Sequence, residues 1–106
     1  MKLLSRSEEI VLLTILKCVD NAYGVSIREQ IYQDTGDKWS FASIYTPLDK
    51  LTRKKYVVKV KGTPTAERGG KSKYLYEVTP DGLQALKKIR KAHEQFWSGV
   101  TQVALE

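Results

Sequence analysis

The sequence contains a single cysteine, Cys18, and a single histidine, His93, among 106 residues. One thiol cannot form an internal disulfide. Cys18 lies among Val11, Leu12, Ile15, Leu16 and Val19, which suits a small core residue in a reducing compartment. With the only His and the only Cys on different helices, and no partner motif for either, no acid, base and nucleophile converge for catalysis and the metal-ligand set is poor. No enzymatic activity, metal or cofactor is expected. Long apolar runs are also lacking. None approaches the roughly 20 residues that span a bilayer, and Met1 to Arg6 has no apolar stretch of signal-peptide length. The expectation is a cytoplasmic protein with no membrane partner, and the length fits one hydrophobic core.

Acidic residues are scarce in one region. From Lys50 to Lys73 there are nine basic residues against one acid, Glu67, a net charge of +8; the remainder carries nine bases and eleven acids. A solubilising surface mixes both signs, whereas a local basic segment on a near-neutral body is the footprint of a surface that meets a polyanion.

Ser5 and Glu8 have capping-box spacing and predict a helix from Arg6 to Val19, central to the core because Ile10, Val11, Leu13, Thr14, Ile15, Leu16 and Val19 leave little polar surface. A second helix is expected from Val25 to Thr35, closed by Gly36, and a third from Phe41 to Lys54 behind the N-cap Ser40. At about 100° per residue, Phe41, Ile44, Leu48 and Leu51 share one side of this third helix. Ser43, Thr46, Lys50 and Arg53 lie nearly opposite, with Lys54 close by. Pro47 should bend this helix without ending it. Two antiparallel strands are predicted at Tyr56–Lys61 and Tyr74–Thr79, where β-branched and aromatic residues concentrate. The connection from Gly62 to Lys71 is too long for a tight turn and reads as a mobile, extended wing.

Thr79 and Pro80 open a last helix expected to continue almost to the C-terminus. Along it, Leu86, Ile89, His93, Phe96, Val100 and Val103 recur at spacings of 3, 4, 3, 4 and 3, a heptad seam that suits a homodimer interface or packing on the first helix. His93 then reads as a packed, hydrogen-bonded interface residue, the alternatives being a pH-sensitive contact or a metal ligand. The predicted fold is mostly α with a β-hairpin wing. It comprises a winged helix-turn-helix domain over residues 1–82 and, continuous with it, a C-terminal dimerisation helix over residues 83–106.

Four stretches carry a family resemblance. Tyr23-Gly24-Val25-Ser26-Ile27 leads into helix 2; Ile44-Tyr45-Thr46-Pro47-Leu48-Asp49-Lys50-Leu51 lies in helix 3; Lys73-Tyr74-Leu75-Tyr76-Glu77-Val78-Thr79 forms the second strand; Thr79-Pro80-Asp81-Gly82 opens the last helix. In their order and spacing they resemble the PadR-like regulators, over roughly residues 10–92, and the single C-terminal helix resembles the short subgroup. The chain departs from the family pattern after helix 3, where Thr52, Arg53, Lys54 and Lys55 replace the usual glutamates and glycine and make that side more basic.

The resemblance implies a transcriptional regulator that binds double-stranded DNA as a homodimer, expected to be a repressor on an inverted repeat. A major groove admits one α-helix, so Ser43, Thr46 and Lys50, with Arg53 and Lys54 further along, are the candidate base-reading residues. Ser43 alternatively only supports the Ser40 cap. Tyr45, either a half-buried core residue or a DNA contact, resembles the family tyrosine that approaches the sugar-phosphate backbone. Lys59, Lys61, Arg68, Lys71 and Lys73 on or near the wing suit phosphate contact. Some short PadR-like regulators sense planar hydrophobic compounds. Phe96 and Trp97 beside the seam, with Trp39 as a second wall, are accordingly the candidate effector site, the alternative being interface packing. Two other functions fit less well. A winged-helix protein–protein interaction module needs no basic wing, and RNA in A form has a major groove too narrow for helix insertion.

Overall fold

The computed structural model describes residues 2–62 and 74–100. The elements follow the order α1 (Arg6–Lys17), α2 (Gly24–Thr35), α3 (Phe41–Arg53), β1 (Val57–Lys61), β2 (Tyr74–Val78) and α4 (Pro80–Trp97). Local capping chemistry accounts for most of these boundaries. Ser5 Oγ accepts from the Glu8 backbone N–H at 3.1 Å while the Glu8 carboxylate accepts from the Ser5 N–H at 2.9 Å, so the capping box satisfies two orphan donors reciprocally. Ser40 and Thr79 cap α3 and α4 with a single bond each, their hydroxyls accepting from the Ser43 and Gly82 backbone N–H groups. Gly36, at φ 79°, supplies the left-handed conformation that ends α2.

α1 stops at Lys17, two residues before the expected end, because Cys18 leaves the helical region and Asp20 turns the chain at φ 58°. α3 passes through Pro47 without ending, and the proline is buried against the core. α4 ends at Trp97, short of the C-terminus: Ser98 is extended and Gly99 reverses the chain at φ 85°.

The core is built where α1 meets the other elements. Val11, Leu12 and Ile15 of α1 pack with Ile27 and Ile31 of α2, Ile44, Leu48 and Leu51 of α3, and Val57 at the base of the hairpin. Each such aliphatic side chain contributes on the order of 1.5–3 kcal/mol by leaving water. Cys18 packs beside this cluster, and burial pushes its thiol pKa up. Two expectations need correction. Leu13 and Leu16 on α1 are 44% and 41% exposed, so only one face of this central helix is covered. Phe41 is 43% exposed, since the first turn of α3 extends beyond the core; the Arg28 guanidinium lies over its ring, 4.8 Å from the ring centre, and the Tyr45 ring is tilted beside it at 6.4 Å.

The strands pair antiparallel with Val57 opposite Val78 and Lys61 opposite Tyr74. The Tyr76 N–H donates to the Ala22 carbonyl at 2.8 Å, tying β2 to the α1–α2 connection. The hairpin base is equally close to α4: a Cβ on Gly82 would collide with the Tyr56 carbonyl and the Val78 side chain. The central part of the predicted wing, Gly62 aside, lies outside the described residues.

Candidate nucleic-acid interface

The amphipathic division of α3 makes a candidate reading surface. Ile44, Leu48 and Leu51 have no exposure, which fixes the rotation of the helix, and Ser43, Thr46, Lys50 and Arg53 are consequently all exposed. Their side chains are not equally free. Ser43 Oγ lies 2.9 Å from Ser40 Oγ, so it supports the cap while remaining at the surface. Arg53 Nε donates to the Asp49 carbonyl at 3.4 Å.

Different environments border the two flanks of α3. On one, Ser43, Thr46 and Lys50 face Ser5 and Ser7 across a cleft of about 620 Å³ whose floor includes Trp39 and Pro47. On the other, Tyr45 lies against α2, where a Cβ on Gly24 would collide with the tyrosine hydroxyl. Gly24 therefore allows the close approach of α2 and α3 that leaves Tyr45 half on the surface. Tyr76 continues this flank at the hairpin base. Burial raises its hydroxyl pKa, with Tyr45 and Asp49 of α3 adding to the effect.

Lys54, one residue past α3, points elsewhere. Its ammonium lies 2.5 Å from the Glu8 carboxylate, whose side chain is only 5% exposed. Burial works to raise the Glu8 pKa. The bond from Lys54 and those from the Ser5 N–H and hydroxyl outweigh burial and hold it below the ordinary carboxylate value. On β1, Lys59 is exposed with its ammonium 4.5 Å from the Tyr74 ring centre, and Lys61 is exposed at the strand end. Arg68, Lys71 and Lys73 lie outside the described residues.

Within the seam, Leu86 and Ile89 are buried in the protomer's own core. His93 is half-buried, its Nε2 lying 3.0 and 3.2 Å from the two Glu9 carboxylate oxygens. Phe96 and Trp97 are 67% and 58% exposed, and Val100 follows the helix end. Val103 is outside the described residues. Trp39 is not brought to Phe96 and Trp97 in one cleft, since no residue of α4 lines the cleft beside Trp39.

Sequence reading missed Glu8 as the partner of Lys54, Glu9 as the partner of His93, and Arg28, whose Nε donates to the Trp39 carbonyl at 2.7 Å. The first two pairs join residues 46 and 84 positions apart, and no local periodicity marks them. Among the described residues no helix is long and apolar enough to cross a membrane.

The crystal structure of a candidate transcriptional regulator from Thermoplasma acidophilum resembles this fold with a TM-score of 0.59 and 21% identity, over 90% of this chain and 96% of the other. At that identity the likeness speaks for the fold alone. Comparison with curated proteins gives no match. The sequence profile of the transcriptional regulator PadR-like family matches residues 12–88, which span all three N-terminal helices but for the start of α1, both strands and α4 as far as Lys88. The chain belongs to the PadR-like family of transcriptional regulators, a DNA-binding winged-helix family.

Proposed function

We propose that the protein is a repressor that binds an inverted-repeat operator as a homodimer, with α3 in the major groove and the hairpin on the flanking backbone. The observation that carries this reading is the division of α3, whose buried apolar side holds out Ser43, Thr46, Lys50 and Arg53 together. Small hydroxyls allow close approach to base edges, and Lys50 supplies a donor for guanine acceptors. Lys61 contacts phosphate, joined by Arg68, Lys71 and Lys73 in the segment of net charge +8, and this contact sets affinity without reading sequence. Tyr45 approaches the sugar-phosphate backbone from the α2 flank. Lys54, its charge balanced by Glu8, holds the end of α3 against α1 instead of reading bases.

The dimer forms through the C-terminal end of α4, where Phe96, Val100 and Val103 meet a second copy, while Leu86 and Ile89 hold the base of the helix in its own protomer. A planar apolar effector inserts beside Phe96 and Trp97 and shifts the spacing of the reading helices. Its effect on DNA is bounded by its differential affinity for the two arrangements.

Selection of duplexes from a random pool, followed by footprinting, tests the reading. The expected result is a repeat with half-sites about one helical turn, roughly 34 Å, apart. Retention that ignores both sequence and salt would favour a protein-binding module instead.

A further inference from the structure

Two buried carboxylates stand side by side in the first turn of α1, and a different element answers each. Glu8 pairs with Lys54, immediately after α3, and Glu9 with His93 on α4. A carboxylate withdrawn from water is costly unless a well-placed partner offsets it, so each pairing holds a neighbouring element in register with α1. Arg6 also reaches Glu9, at 3.2 Å, but it belongs to α1 and its side chain is 74% exposed. It helps neutralise Glu9 without determining where α4 lies.

The position of His93 gives its contact further consequence. It follows Leu86 and Ile89, which are buried in the core, and every residue from Glu94 to Trp97 is exposed. The Arg90–Glu94 ion pair on this part of α4 lies within the helix and faces water. His93 thus stands where α4 leaves the body of the protein.

We propose that Glu9 and His93 form a positioning contact that sets the direction of the projecting end of α4 relative to the reading helix. The neighbouring Glu8–Lys54 pair supplies the second half of the link, because one turn of α1 holds both α3 and α4. In a dimer joined through the α4 ends, this direction determines the separation of the two α3 helices. The effect on DNA rests on the dimer reading; the contact itself does not.

Nitroxides at Glu29→Cys on α2 and Gln95→Cys on α4, in a Cys18→Ser background and diluted with unlabelled chain, report the direction of α4 within one protomer. A narrow distance distribution is expected for the parent, a broader and shifted one for His93→Leu, and recovery in His93→Gln, which keeps a side-chain N–H for Glu9. Selected duplexes with half-sites respaced one base pair at a time read the consequence. The parent's preference for its best spacing, about tenfold, should fall to about twofold in His93→Leu, with binding to a single half-site unchanged. An unaltered distance distribution in His93→Leu overturns the proposal at any oligomeric state. So does a dimer whose distances broaden while its spacing preference persists. A monomeric parent in sedimentation overturns the dimer reading instead, and the distance result still decides the contact.

Discussion

In the first half of α4, Leu86 and Ile89 lie inside the protomer's core at 9% and 5% exposure, whereas Phe96 and Trp97 in its last turn are 67% and 58% exposed. The same apolar spacing runs through both halves. A stripe repeating every three or four residues specifies a face of a helix but not what covers it. The neighbour decides: α1 and the hairpin base cover the start of α4, and α1 reaches along it as far as His93. Beyond that point the stripe has no partner among the described residues of the protomer, which is the physical ground for assigning a second copy to it.

The largest expected effect separates the two halves directly. Ile89→Ala should destabilise the protomer by about 2–5 kcal/mol through lost burial and a residual cavity, read from urea unfolding at low protein concentration. Phe96→Ala should change that quantity by less than about 0.5 kcal/mol, since its ring already meets water in the protomer. Equal losses at the two positions would remove the distinction between them.

Dimerisation provides the converse test. Phe96→Ala should weaken self-association by about 2 kcal/mol, roughly 30-fold, as loss of an aromatic anchor does. Sedimentation equilibrium of parent and variant measures it. If both self-associate equally, the exposed half of α4 is not the interface.

A smaller effect, on pH dependence, concerns the pair that ties α3 to α1. Because the Glu8 pKa is depressed in the folded protein, its contribution to stability is fully present above the ordinary carboxylate pKa. That contribution is lost as pH falls through the lower folded value. Glu8→Gln should therefore lower stability at neutral pH and flatten its decline on the acid side, as followed by thermal unfolding across that range. A variant with the parent's acid dependence would show that Glu8 does not carry this linkage.

How far the sequence could be read follows the range of the interactions involved. Ser5, Ser40, Thr79 and Gly36 act within a few residues of themselves, so the starts of α1, α3 and α4 and the end of α2 were legible, as was the outward face of α3. The early end of α1 was less visible, because the apolar pattern continues into Val19 although Asp20 reverses the chain. Leu13, Leu16 and Phe41 are apolar residues at a surface, and their type alone overstated their burial. Lys54 read as a candidate DNA contact at the end of the third helix. Only the folded arrangement brings it to Glu8, and the approach of Tyr45 to Gly24 likewise depends on how α2 crosses α3.

The central claim is that the outer face of α3 reads sequence while the hairpin supplies general affinity. Equilibrium binding of the parent, Lys50→Ala and Lys61→Ala to the selected operator, to single-base variants of it and to an unrelated duplex, over a series of salt concentrations, tests it most directly. Lys50→Ala is expected to lose about 1–3 kcal/mol of discrimination at one base position, and Lys61→Ala to weaken all duplexes alike with a salt slope smaller by about one unit. Equal, sequence-blind losses from both substitutions would contradict the claim.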